Sequence, residues 1–123
     1  ANSCMIFRRD TLEKQAYSQN FVEDEIVKLL DEIQLSLFNK AKVSLDNKMA
    51  DHKVEDMDDL KQILDDKKFA LAYYCGESEC ADNIKASTGA TARCIEKENL
   101  EGEHKCFACG KKATMRTYFA RSY

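Results

Sequence analysis

Several features are missing from this sequence of 123 residues, and each absence narrows what the protein can be. No apolar run approaches the roughly 20 residues that a membrane-spanning helix needs, so we expect no membrane segment. No apolar signal segment stands at the start, which argues against a small secreted scaffold held by disulfides. The net charge is only −3, so the chain as a whole is not a strong nucleic-acid binder. Proline is also absent, and the pattern offers no physical reason for it.

Cysteine, in contrast, is well represented, and four of the six cysteines form two closely spaced pairs. Cys75 and Cys80 make a C-x4-C pattern, and Cys106 and Cys109 make a C-x2-C pattern. Thiolates two to four residues apart can reach one metal ion from a tight turn, and two such pairs complete a tetrahedral zinc site. A glycine follows the first cysteine of one pair and the second cysteine of the other, where tight turns often need a positive φ. The spacing therefore predicts a zinc site with these four sulfurs as ligands.

Other interpretations of the cysteines stay open at this point. Together with Cys4 and Cys94, six cysteines could form three disulfides, although the long charged helical stretch without cysteine does not suit a loop-rich scaffold. The C-x2-C pair could be a redox motif, but that motif normally opens a helix, and Cys109 instead runs into Gly110 and two lysines. His104 could replace a sulfur, but its charged neighbours favour a solvated loop histidine. We expect Cys4 and Cys94 to be reduced core residues.

The first half of the chain predicts one short strand and two helices. Residues 4–7 predict a strand that would pair with a sheet outside this sequence. Apolar side chains then recur every three or four positions and predict one helix over about 18–49, with the apolar stripe buried in the core. The stripe consists of Val22, Ile26, Leu29, Leu30, Ile33, Leu37, Ala41 and Leu45. A second helix is predicted over 56–66, with Asp56 as its N-cap.

The second half predicts a small antiparallel sheet. Strands are expected over 68–74, 90–95 and 113–120, and a short helix capped by Ser78 is expected to stop at Gly89. The fold class is therefore α+β, with a two-helix N-terminal half packed on a small antiparallel sheet and the four-cysteine zinc site pinning its loops.

The stretch from residue 105 to residue 121 is basic and contains no acid. Its cations are Lys105, Lys111, Lys112, Arg116 and Arg121. They can offset the negative charge of four zinc-bound thiolates, or they can belong to an independent zinc-ribbon module that binds RNA. The chain begins with Ala1 rather than Met, so we expect it to be a piece of a longer protein. Free-thiol chemistry without targeting signals favours the cytoplasm.

Several motifs occur together in this sequence. They are Cys75-Gly76 with Glu79-Cys80, then Ile84-Lys85, Thr88-Gly89-Ala90 and Arg93-Cys94-Ile95, then Lys105-Cys106 with Cys109-Gly110-Lys111 and Ala113, and finally the terminal Tyr118-Phe119-Ala120-Arg121-Ser122-Tyr123. In this combination the last 50 residues resemble the C-terminus of prolyl-tRNA synthetases of the archaeal/eukaryote-like type. Arg8-Arg9-Asp10-Thr11 with Lys14 is similar to the end of that family's anticodon-binding domain. Glu96 stands where many members have proline, which leaves the conformation of that loop open.

The resemblance implies that residues 1–16 end the anticodon-binding domain and that 17–123 form a C-terminal zinc-binding domain. It also implies a homodimeric parent enzyme, a class II proline–tRNA ligase that activates proline with ATP and Mg²⁺ and esterifies tRNA(Pro). The catalytic domain would precede this chain, so we expect no catalytic residue here. In that family the zinc is structural, and Tyr123 matches a terminal tyrosine whose carboxylate reaches toward the active site. Arg8 and Arg9 could touch tRNA, although ending a strand is the simpler role.

Overall fold

The computed structural model describes residues 2–122, which form an α+β fold of five strands and three helices. The elements are β1 (Ser3–Phe7), β2 (Lys14–Ser18), α1 (Val22–Asp46), α2 (Met57–Asp65), β3 (Ala70–Tyr74), α3 (Ser78–Thr88), β4 (Thr91–Ile95) and β5 (Met115–Ala120). The chain divides into two compact units, one ending at Ser44 and the other beginning at Leu45. Within residues 2–122, no helix is both long enough and apolar enough to cross a membrane.

The first unit opens with a β-hairpin. β1 pairs antiparallel with β2, which places Phe7 opposite Lys14. The turn is closed by a hydrogen bond of 2.8 Å that the backbone N–H of Arg8 donates to the carbonyl of Glu13. The prediction that the first strand pairs outside this sequence is therefore wrong. The sequence did not reveal its partner because β2 carries few apolar side chains and shows no clear alternation.

Helix α1 spans Val22–Asp46, somewhat shorter than the predicted 18–49. The expectation that its apolar stripe is buried is wrong. Leu29 is the buried side chain of this helix, whereas Ile26, Leu30 and Leu37 are 43%, 59% and 53% exposed. Periodicity correctly identified the helix, but one hairpin in the same unit is too small to cover a stripe of that length.

Helix α2 has the N-terminal cap that its sequence predicts. The Asp56 carboxylate accepts the backbone N–H of Asp59 at 2.8 Å, which satisfies one of the free donors of the first turn. Leu60, Ile63 and Leu64 form its buried face. The observed bounds differ from the predicted 56–66 by one residue at each end, a normal uncertainty for helix termini.

A three-stranded antiparallel sheet with strand order β3-β5-β4 frames the second unit. Side chains alternate between the two faces of the sheet along each strand, and one of these faces is buried. That face carries Ala70, Ala72 and Tyr74 from β3 and Thr117 and Phe119 from β5. Leu60 of α2 and Ile84 of α3 join Phe119 in one buried cluster, so these two helices cover the sheet. Most of α1 lies in the first unit and α2 in the second, so the two helices do not form a single two-helix half as predicted.

Helix α3 connects the sheet to the cysteines and differs from its prediction at one end. Ser78 was expected to be the N-cap, but it is the first helical residue, and Glu77 occupies the cap position without a side-chain hydrogen bond. The other end agrees with the prediction. Gly89 adopts a left-handed φ of 74° and donates its N–H to the carbonyl of Lys85 at 2.8 Å.

Candidate metal centre

The first cysteine pair forms a turn between β3 and α3, which we call the first knuckle (residues 75–80). β3 ends at Tyr74, so Cys75 begins where the strand stops. Gly76 takes a φ of +81°, which turns the chain toward α3, and the Tyr74 hydroxyl donates to the carbonyl of Glu77 at 2.7 Å. Cys80 then lies in the first turn of α3, with its side chain buried. Strand, glycine turn and helix together fix the positions of both sulfurs.

The second pair forms another tight turn, the second knuckle (residues 106–110). The carbonyl of Cys106 accepts the N–H of Gly110 at 3.0 Å, and Gly110 has the positive φ, 73°, that its position predicts. Two backbone hydrogen bonds hold this knuckle and the residues that follow it beside the end of β3. Phe107 donates to the carbonyl of Tyr73 at 3.1 Å, and Thr114 donates to the carbonyl of Tyr74 at 2.9 Å. The two knuckles therefore meet at one end of the sheet.

The structure brings all four predicted ligand residues together, with their sulfur atoms within 4.8 Å of one another. Two separations between the knuckles are 3.7 Å, for Cys75 and Cys109, and 3.8 Å, for Cys80 and Cys106. A tetrahedron with Zn–S bonds of about 2.3 Å has an edge of about 3.8 Å. These separations match that edge, and they are far longer than the about 2.05 Å of a sulfur–sulfur bond. The geometry therefore fits four sulfurs around a single tetrahedral ion.

The pKa values of three thiols in the cluster are shifted, in different directions. Burial raises the pKa of the Cys80 thiol, and the charge of nearby Cys106 raises it further. Burial likewise raises the pKa of Cys75. Burial also acts to raise the pKa of Cys106, but backbone N–H groups of Cys109 and Ala108 donate to its sulfur and lower the pKa overall. A divalent cation bound by the four sulfurs would favour the thiolate form of each.

Three contacts around the cluster were not predicted from the sequence. The Thr114 hydroxyl donates to the carbonyl of Cys75 at 3.0 Å and ties β5 to the first knuckle. Lys111 forms an ion pair of 2.7 Å with Glu77, which links the two knuckles at the surface. His104 is not a simple solvated loop residue, because its ring stacks on Tyr73 with centroids 3.9 Å apart. These contacts join residues distant in the sequence, so no local motif could have revealed them.

The basic stretch of residues 105–121 is largely neutralised by acids from elsewhere in the second unit. Four of its cations form ion pairs. Lys111 pairs with Glu77, and Lys112 pairs with Glu103. Arg116 pairs with Glu96 and Glu98, and Arg121 pairs with Asp65. The Arg121 guanidinium also donates to the carbonyl of Thr88 at the end of α3, at 2.8 Å. These partners give most of the stretch a structural role within the fold.

The remaining predicted residues have mixed outcomes. Arg8 pairs with Asp10 at 2.9 Å in the hairpin turn, which agrees with the structural role that the sequence favoured. Cys94 was expected in the core but is exposed, because it lies on the edge strand β4, where most side chains are exposed. Cys4 is partly buried, and its sulfur lies 3.7 Å from the carbonyl of Tyr17. Tyr123 lies outside the described residues, so its predicted role is not addressed by the structure.

Comparison with known proteins identifies relatives of the whole chain. Residues 57–123 match the sequence model of the family described as "Prolyl-tRNA synthetase, C-terminal". A proline–tRNA ligase of Alkaliphilus oremlandii is 42% identical over 125 residues, covering 99% of this chain and 25% of the relative. Proline–tRNA ligase 2 of Clostridioides difficile is 40% identical, with the same coverage of 99% and 25%. The chain thus spans about a quarter of the length of the curated relatives it matches.

A solved structure is also similar. The prolyl-tRNA synthetase of Cryptosporidium parvum, crystallised with L-proline and AMP, superimposes with a TM-score of 0.86 at 32% sequence identity. The match covers 99% of this chain and 26% of that protein. The family match includes both knuckles and the three-stranded sheet, and it extends over more than half of the sequence. The chain belongs to the prolyl-tRNA synthetase C-terminal family.

Proposed function

We propose that this chain is the C-terminal part of a proline–tRNA ligase, the enzyme that attaches proline to tRNA(Pro) with ATP, and that a zinc ion cross-links its two knuckles. One observation carries the zinc assignment: four sulfurs from two knuckles lie within 4.8 Å of one another, and the separations of 3.7 Å and 3.8 Å between the knuckles match the edge of a zinc–thiolate tetrahedron. Family membership carries the link to the ligase. Proline, ATP with Mg²⁺ and tRNA(Pro) are substrates and cofactors of the parent enzyme in this proposal, which we take to act as a class II homodimer in the cytoplasm.

The proposed zinc is structural rather than catalytic. A tetrahedral ion with four protein sulfurs has no open position for water or substrate. Cys75, Cys80 and Cys106 are buried in the same cluster as the core residue Phe119, so the ion would complete the packing of the sheet. We therefore assign no catalytic residue to this chain. The ion would supply a cross-link between two segments and the positive charge that keeps their sulfurs ionised.

The first unit exposes apolar side chains that suit a contact with the rest of the parent enzyme. The family resemblance implies that residues 1–16 end the anticodon-binding domain and that 17–123 form the zinc-binding domain. β1 belongs to one hairpin that continues to Ser18, and the compact unit reaches Ser44. Exposed apolar side chains are frequent in it, including Phe7 at 51% and Phe38 at 58%. Such surfaces usually have a protein partner, and we propose that the anticodon-binding domain of the parent provides it.

The zinc assignment is tested by elemental analysis of the purified chain, with X-ray absorption to measure metal–sulfur distances. We expect one zinc per chain and Zn–S distances of about 2.3 Å. Cys106→Ser should lose most of the metal, because it removes one of the four proposed ligands, and this one is buried. Cys94→Ser is the matched control, since that cysteine lies outside the cluster, and it should retain one zinc. A metal-free chain with four reduced thiols would contradict the proposal.

Testing the proposed role of Tyr123 requires the full-length enzyme. We propose that the Tyr123 carboxylate docks near the active site of the catalytic domain, as the family resemblance implies. Deleting Tyr123 should then lower proline-dependent ATP–pyrophosphate exchange. Tyr123→Phe keeps the terminal carboxylate and the aromatic ring, so it should retain most of the activity. Equal rates for the deletion and the unmodified enzyme would remove the docking role without affecting the zinc assignment.

The alternative of an independent RNA-binding zinc ribbon receives little support. Its cations would have to reach phosphates, yet Arg116 and Arg121 are held by carboxylates at 2.9 Å and 2.7 Å. A salt titration of RNA binding by the isolated chain separates the two functions. Contacts with phosphates would give an affinity that falls steeply with salt, and such a slope would favour the RNA-binding alternative.

A further inference from the structure

The four clustered cysteines differ sharply in their access to solvent. Cys75, Cys80 and Cys106 are only 9%, 5% and 3% exposed, whereas Cys109 is exposed. A methyl group added at neighbouring Gly110 would meet no atom within 4 Å, so the surface beside Cys109 is open. We propose that Cys109 is a site of oxidation by peroxides and that Cys75 completes the reaction by forming a disulfide across the two knuckles. This inference rests on the proposed zinc site, of which both cysteines are ligands.

Distance selects Cys75 as the partner of Cys109. The two sulfur atoms are 3.7 Å apart and belong to different knuckles. Closing this gap to the about 2.05 Å of a disulfide requires a shift of under 2 Å. It also joins two turns rather than closing a small ring within one turn. The Cys75 sulfur is therefore already in position to react with an oxidised Cys109.

The competing partner is Cys106, which shares a C-x2-C turn with Cys109. A bond between these two sulfurs would close a small ring within that turn, whereas Cys75 and Cys109 lie in different turns. Cys106 also packs 3.8 Å from Cys80, and both are shielded from solvent. The structure therefore favours a disulfide between knuckles over the one that the C-x2-C motif alone would suggest.

The chemistry takes two balanced steps. The Cys109 thiolate attacks one oxygen of hydrogen peroxide; the S–O bond forms, the O–O bond breaks and hydroxide leaves, which gives a sulfenic acid. The Cys75 thiolate then attacks the oxidised sulfur; the S–S bond forms, the S–O bond breaks and a second hydroxide leaves. The two sulfurs have lost two electrons to the peroxide, and two protons from solvent convert the hydroxides to water.

Oxidation would exchange one cross-link for another. A disulfide between Cys75 and Cys109 removes two of the four proposed zinc ligands, and two sulfurs alone hold zinc much less tightly. The disulfide still joins the same two knuckles, however, and the backbone hydrogen bonds from Phe107 and Thr114 to β3 remain. The oxidised chain should therefore remain folded, and reduction with a thiol should restore metal binding.

The test treats the zinc-loaded chain with hydrogen peroxide and follows zinc release with a chromophoric chelator. Free thiols are then alkylated, and the unreduced digest is mapped by mass spectrometry. We expect a cross-linked peptide containing Cys75 and Cys109, release of one zinc per disulfide, and recovery of both thiols with dithiothreitol. A disulfide between Cys106 and Cys109, or oxidation of exposed Cys94 ahead of Cys109, would overturn the proposal.

Two variants keep the test decisive. Cys109→His preserves a zinc-binding side chain and removes the reactive sulfur, so it should bind zinc, give no cross-linked peptide and release metal more slowly. Cys94→Ser is the matched control for an exposed cysteine outside the cluster, and it should behave like the unmodified chain. An untreated chain without zinc would contradict the proposed function. Zinc that is bound but leaves without this disulfide would contradict only the oxidation site.

Discussion

Alanine substitutions at the two knuckle glycines distinguish the cost of backbone strain from the cost of side-chain crowding. Gly76 and Gly110 have φ values of +81° and +73°, a region that costs an alanine about 1–2 kcal/mol. At Gly110 an added Cβ meets nothing within 4 Å, so strain is the whole cost. At Gly76 the Cβ would lie 2.9 Å from Cε of Met115. Moving this flexible side chain from its preferred rotamer costs about 0.5–1.5 kcal/mol more.

The expected losses are therefore about 1–2 kcal/mol for Gly110→Ala and about 2–3 kcal/mol for Gly76→Ala. For a unit of this size, each kcal/mol lowers Tm by roughly 4–8 °C. Thermal unfolding at saturating zinc measures both losses, and competition with a chelator reports metal affinity in parallel. Gly110→Asn is the matched control, because asparagine tolerates positive φ better than alanine does. If Gly110→Ala unfolded at the temperature of the unmodified chain, or if Asn were as damaging as Ala, the strain argument would fail.

Three further substitutions test other parts of the second unit. Thr117 is 2% exposed and its hydroxyl has no hydrogen-bond partner within residues 2–122, so Thr117→Val should raise the free energy of unfolding by about 1 kcal/mol in urea titrations. Asp56→Ala removes the cap of α2 and should cost about 1 kcal/mol in the same assay. A hydrogen bond to Asp59, supported by its charge, raises the pKa of His52 above 6.5. The resulting stabilisation is complete below pH 6.5 and is lost as the pH rises through the folded-state pKa; NMR titration should show that Asp59→Asn removes this shift.

The local chemistry of the metal centre could be predicted from the sequence because it depends on short spacings. Cys106, Cys109 and Gly110 lie within five residues, so the turn and its positive φ follow from geometry that is confined to the motif. The partnership between knuckles could not be predicted in this way. It depends on the register that places Tyr74 opposite Met115, and this register fixes which sulfur faces which.

Burial was harder to predict than secondary structure. The apolar period of α1 is real, but a period says only which side chains share a face and not whether anything covers that face. Leu30 and Leu37 are therefore exposed in a helix that the sequence located well. The prediction for Cys94 was wrong for a related reason, since the sequence of β4 does not show that it is an edge strand with exposed side chains on both faces. In both cases the missing information was the position of a neighbouring element.

The sheet also determines how much a metal can contribute to this fold. The knuckles lie far apart in the sequence, and bringing them together from an unfolded chain carries a loop-closure cost. Pairing Tyr74 with Met115 already closes that loop, with Cys75 next to one partner and Cys109 six residues before the other. The apolar core around Phe119 stabilises this pairing independently of the sulfurs. A metal at the cluster therefore fixes the two turns at the end of a sheet that other contacts hold, unlike the ion of a small zinc finger, which must organise its entire domain.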